Sequence, residues 1–111
     1  MWACWSVGLS GCGWIGSGDY VKNISAAKPE VATKAMNKAA QKKSREAMVP
    51  LVGRLYDEDA VIRLSASTAL ESITGEDMGY ESYGGEVERV AAIKRWEAWL
   101  VKEGLASEEE D

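Results

Sequence analysis

Two runs of apolar residues at helical spacing, separated by the triplet Asp57-Glu58-Asp59, restrict the fold of this chain more than any other feature. Met48, Leu51, Val52 and Leu55 recur at i, i+3, i+4 and i+7, which places four large apolar side chains on one side of a helix over about residues 45 to 56. Pro50 lies near its start, where a missing amide costs less than it would mid-helix. Beyond the acidic turn, Ile62, Ala66, Ala69, Leu70 and Ile73 form the inward stripe of a second helix over Ala60 to Ile73, with Asp59 as its N-cap and Gly75 as its left-handed stop. Ala66 and Ala69 are small enough to let a partner helix come close. A hairpin of this kind fixes an all-α class, and no other segment alternates in the manner of a strand.

The flanking segments add two helices. Pro29 and Glu30 suit the first turn of a helix over about Glu30 to Lys43, since proline is pre-organised for that position and an acid complements the positive end of the helix dipole. Its stripe, Ala32, Ala35, Met36, Ala39 and Ala40, is narrow and does not continue in phase into Met48 and Leu51. The spacing therefore predicts a break near Lys43-Ser44 with Ser44 as N-cap, a single kinked helix being the alternative. Residues 76 to 85, EDMGYESYGG, read as a loop with Tyr80 and Tyr83 as aromatic plugs, and a last helix follows over Glu86 to Lys102 with Ile93, Trp96, Trp99 and Leu100 turned inward. The expected architecture is about four helices without a sheet.

The chain has 111 residues, no histidine and two cysteines, Cys4 and Cys12. The missing histidine excludes Ser-His and Cys-His nucleophile pairs and every His-containing zinc site. Two cysteines near one end supply neither a disulfide framework nor a four-ligand metal site. The net charge of -5 conceals an uneven distribution: residues 28 to 46 sum to +4 and residues 47 to 111 to -9. Acidic neighbours such as Asp57 with Asp59, or Glu76 with Asp77, lack the ligand spacing of a calcium loop. The basic segment has no interleaved aromatics and no nucleic-acid motif, and the acidic body would repel phosphate.

Residues 1 to 18 are uncharged and rich in Trp, Gly and small side chains, too short an apolar run for a membrane span but suited to a signal-peptide core. Leu9-Ser10-Gly11-Cys12 resembles the lipobox of bacterial lipoproteins. That resemblance implies a diacylglyceryl group on the Cys12 sulfur, cleavage before Cys12 and, with Gly13 following, an outer-membrane site facing the periplasm. An ordinary apolar N-terminal tail on a cytoplasmic protein is the alternative.

The stretch VPLVGRLYDEDAVIRLSASTALESITG, Val49 to Gly75, resembles one HEAT repeat: an apolar first helix with a proline near its start, an acidic turn, then Ile62-Arg63 followed by Ala66, Ala69 and Leu70. The resemblance implies that Arg63 ties the hairpin by bonding back toward Asp57 or Asp59, a structural role. The following TGEDMGY and ERVAAIKRWEAWL resemble the closing segment of small HEAT-type domains of secreted and lipidated bacterial proteins. One repeat alone leaves an open face, so the flanking helices would serve as caps.

The expected organisation is a lipoprotein signal peptide over 1–11, the lipid-attachment site with a flexible tether over 12–28, a HEAT-like helical domain over 29–104, and an acidic tail over 105–111. The expected function is a non-catalytic interaction or scaffold module, membrane-tethered through Cys12, with a protein partner and with no cofactor, metal, nucleic acid or small-molecule substrate. Lys34, Lys38, Lys42, Tyr80 and Tyr83 are the candidate surface contacts. The alternative is an electrostatic adaptor whose basic helix, 28–46, binds an anionic membrane or polymer.

Overall fold

A computed structural model describes residues 20–106, and all regular structure among them is helical. The lipobox, Cys12, the signal-peptide expectation, the first part of the tether and the end of the acidic tail lie outside the described residues. Helix α1 spans Pro29–Lys42, a 3-10 turn follows at Arg45–Ala47, and α2 (Met48–Arg54), α3 (Ala60–Thr74) and α4 (Glu86–Lys102) complete the fold.

Helix α1 starts with proline in its first turn and buries Ala32, Ala35, Met36 and Ala39. It ends where Lys43 adopts the left-handed conformation, φ 49°, with the Lys43 and Ser44 amides donating back to the Ala40 and Ala39 carbonyls. That is a Schellman closure, usually built on glycine. Here the lysine side chain gains a separate anchor, Nζ donating to the Ser72 carbonyl on the last turn of α3 at 2.8 Å. The helical break is thus real. Ser44 precedes the 3-10 turn in an extended conformation but makes no side-chain cap bond, which corrects its expected N-cap role. The helix expected over 45 to 56 is accordingly a 3-10 turn plus seven α-helical residues.

The hairpin matches its sequence pattern closely. Asp59 caps α3 by accepting from the Val61 amide at 2.9 Å, and Gly75 ends it at φ 82°. Ile62, Ala66, Ala69 and Leu70 are buried, while Ile73 is half-buried against the core. Helix α3 is the centre of the fold, with α1 and α2 both packed on it and α2 also touching α4. Alanines on the buried sides of α1 and α3 permit a close approach.

Trp96, Ile24, Met36, Met48, Leu51, Leu55, Ile62, Leu70 and Ile93 are the largest fully buried side chains. Each such side chain contributes about 1.5–3 kcal/mol relative to remaining exposed. Ile24 belongs to the stretch expected to be a tether, and it is a correction: residues 20–23 are helical, and Tyr20 and Ile24 are in the core. Tyr20, Val21 and Ile24 do share one side of this short helix, but the segment is a single turn, too short for its spacing to stand out; the turn at Ile24–Ala26 folds it onto the helices. The domain also reaches past 104. Gly104, at φ 76°, lets the Leu105 amide donate to the Leu100 carbonyl at 2.8 Å, and Leu105 and Ala106 pack on the core.

Candidate functional site

Arg63 is the most heavily bonded polar side chain among the described residues. It is 8% exposed, its Nη1 donates to the carbonyls of Asp57 (2.8 Å) and Glu58 (2.9 Å), and its Nε and Nη2 both donate to the Ser82 carbonyl. The guanidinium therefore binds backbone on both sides, the α2–α3 turn and the loop before α4. Asp57 enters through its carbonyl; its carboxylate instead accepts from the Asp59 amide at 2.8 Å and pairs with Arg54 at 3.3 Å. Asp59 is occupied as the α3 cap. Asp57, Asp59 and Arg63 thus share one turn, and Arg63 also reaches out of it to Ser82.

Arg54 reaches the other way. Its Nη1 donates to the Ala26 carbonyl at 3.2 Å, which ties the N-terminal turn to α2. Neither Ala26 nor Ser82 could be found from sequence, because any residue supplies a carbonyl.

Tyr80 and Tyr83 separate. Tyr80 is buried and its hydroxyl donates to the Leu55 carbonyl at the end of α2 at 2.7 Å, so the expected solvent contact at Tyr80 is a correction. A turn-ending carbonyl inside the fold needs a donor, and the phenol is the group that reaches it. Burial raises the Tyr80 pKa above its ordinary 10.0, with the positive charges of Arg63 and Arg89 opposing. Tyr83 is 69% exposed.

The two tryptophans meet edge to face, with centroids 5.7 Å apart and planes at 78°. Trp96 is buried and its Nε1 has no hydrogen-bond partner. Trp99 is half-buried rather than fully inward, and Arg45 covers its ring at 5.7 Å while also pairing with Glu103 at 3.3 Å.

Lys34, Lys38 and Lys42 are all exposed on α1, Lys42 next to the buried stripe and Lys34 across from it. None of them pairs with an acid among the described residues. The Lys38 ammonium lies 5.3 Å from the Tyr20 ring centre, a cation–π contact. Beside it an open groove of about 700 Å³ runs between Tyr20, Asn23, Val31, Lys34 and Lys38, with Glu30 at its edge.

An apolar flank lies on α2. Val49, Gly53 and Tyr56 follow one another at i, i+4 and i+7; Val49 and Tyr56 are exposed, and a Cβ on Gly53 would meet no atom within 4 Å. The Tyr56 hydroxyl donates to Glu97 at 3.0 Å; burial first, then that bond and the carboxylate charge, raise its pKa. Val61 and Leu64 are exposed on the outer side of α3. Among the described residues no three or more Cys, Asp or Glu side chains are placed to hold a metal, and no helix is long and apolar enough to cross a membrane. Comparison of the chain with protein-family models, with curated proteins and with solved structures gives no significant match.

Proposed function

We propose that this protein is a non-catalytic helical interaction module, held at a bacterial outer membrane by a lipid on Cys12, that presents the Val49–Gly53–Tyr56 flank of α2 to a protein partner. The observation that carries this reading is the division of labour among side chains. Arg54, Arg63 and Tyr80 direct their donors to backbone carbonyls of neighbouring elements, so they hold the body together. Val49 and Tyr56, by contrast, remain exposed on either side of a glycine with open space above it. Large apolar groups flanking a smooth backbone surface suit the insertion of a partner side chain.

The HEAT-like reading gains support from the turn: Arg63 bonds back across it to Asp57 and Glu58, as the family resemblance implies. The lipid anchor is supported by Leu9-Ser10-Gly11-Cys12.

A photo-crosslinking amino acid at Gly53, compared with one at exposed Glu71 on α3, tests the flank in cells. Discrete adducts at position 53 and none at 71 are expected; equal labelling at both would overturn the assignment. Intact mass of the membrane-fraction protein tests the anchor, and an unmodified thiol at Cys12 would remove it.

A further inference from the structure

We infer that the α1 face bearing Lys34, Lys38 and Lys42 is the side on which the domain rests on an anionic lipid surface. The three lysines sit at i, i+4 and i+8 on the exposed surface of α1, Lys34 across from the buried Ala32, Ala35, Met36 and Ala39 and Lys42 beside that stripe, so the row runs over about 12 Å along the helix. That length spans the headgroups of neighbouring lipids. Folding has sorted the basic segment. Lys43 is bonded to the Ser72 carbonyl and Arg45 is held by Trp99 and Glu103, whereas Lys34, Lys38 and Lys42, like Lys28 just before the helix, are exposed residues without an acidic partner among the described residues, Lys38 resting on the Tyr20 ring.

Charge complementarity identifies the occupant. From residue 47 onward the chain carries a net -9, which an anionic leaflet repels, so the same field that attracts α1 turns the remainder outward. The groove beside Tyr20 is lined by donors on Asn23, Lys34 and Lys38 but also by the Glu30 carboxylate, so the exposed lysine row, and not the groove, is what meets the anionic surface.

Chain length places this face near the bilayer. Tyr20, in contact with Lys38, follows Cys12 by eight residues, so a lipid on Cys12 lies within about 28 Å of α1. The orientation rests on the proposed Cys12 anchor; the charge complementarity does not. A lipid chain with a basic patch supplies the two attachment signals that stable membrane binding needs.

The test uses the full-length unacylated chain and vesicles of phosphatidylcholine, with and without one-third phosphatidylglycerol. Binding common to both vesicle types is subtracted. The variant Lys34→Gln/Lys42→Gln, which spares the Lys38–Tyr20 contact, is compared with Lys94→Gln/Lys102→Gln on α4, an equal change in net charge; circular dichroism checks that both are folded. Each basic residue at an anionic surface is worth about fivefold in partitioning, so the α1 pair should lose about 30-fold and the α4 pair less than twofold. Equal losses would show that only total charge matters, and no loss would remove the face; either result overturns the inference. Binding to soluble polyglutamate that depends on the α1 pair while vesicle binding does not would assign the face to an acidic polymer and also overturn it. Because lipid is added from outside, these outcomes are independent of whether Cys12 is acylated, which the mass measurement reads separately.

Discussion

Arg63 of α3 and the Ser82 carbonyl are joined by two hydrogen bonds, from Nε at 3.0 Å and from Nη2 at 2.9 Å. The same guanidinium holds Asp57 and Glu58 through Nη1, so one side chain fixes where the loop before α4 lies relative to the α2–α3 turn. A planar fork spreads its donors over three nitrogens and so reaches two separate segments at once; an ammonium gathers its three donors on one atom and does not reproduce that span.

Replacing Arg63 by Ala should therefore cost about 3 kcal/mol, because three carbonyls lose charge-assisted partners in a buried setting. In a domain this small that corresponds to a fall of about 10–20 °C in Tm, readable by far-ultraviolet circular dichroism. Arg63→Lys should recover only part of it. An unchanged Tm for the alanine variant would mean that the loop is held by other contacts.

Tyr80→Phe removes the donor to Leu55 and should lower stability by about 1 kcal/mol near neutral pH. The pH dependence has a definite sign. Burial raises the folded-state pKa above 10.0, so above pH 10 the unfolded chain releases this proton while the folded one keeps it, and stability falls as pH rises. Denaturant titrations on both sides of pH 10 should show a shallower decline in the phenylalanine variant than in the parent. Parallel declines would show that Tyr80 does not titrate differently on folding.

Ile24 is fully buried although it precedes the first long helix. Ile24→Ala should destabilise the whole domain by about 2–5 kcal/mol in a single cooperative transition. A cost below about 1 kcal/mol would indicate that the turn around it detaches without consequence for the helices.

Trp96 carries a buried N–H without a partner, so its two replacements should differ sharply. Trp96→Phe keeps most of the ring volume and removes the unsatisfied donor, for a net cost of about 1 kcal/mol; Trp96→Ala opens a cavity and should cost about 3–5 kcal/mol. Chemical denaturation of the two variants gives the comparison, and similar losses would argue that the N–H is satisfied by bound water.

Much of the fold was legible because helix periodicity and caps are local. Asp59 as N-cap, Gly75 as the left-handed stop and the inward faces of α3 and α4 follow from residue type and spacing alone. Ser44 does stand at the start of the 3-10 turn, but its hydroxyl accepts no amide there, a detail that residue type does not settle. Tyr20, Val21 and Ile24 lie at helical spacing but within a single turn, too short to be told from a tether, and Tyr80 resembles any loop tyrosine until its hydroxyl is seen to meet the end of α2.

The sequence by itself determined an all-α class, the ends of α3 and the span of α4, and the polarity difference between α1 and the rest of the chain. These properties depend on interactions within a few residues. Only the tertiary structure decided which polar side chains are used up internally. Lys43, Arg45, Arg54, Arg63 and Tyr80 find partners between 19 and 58 residues away; for all but Arg45, which pairs with the Glu103 carboxylate, the acceptor is a backbone carbonyl that leaves no trace in residue identity. Lys34, Lys38 and Lys42 are left on the exposed surface for the same reason: the fold turned Ala32, Ala35, Met36 and Ala39 inward.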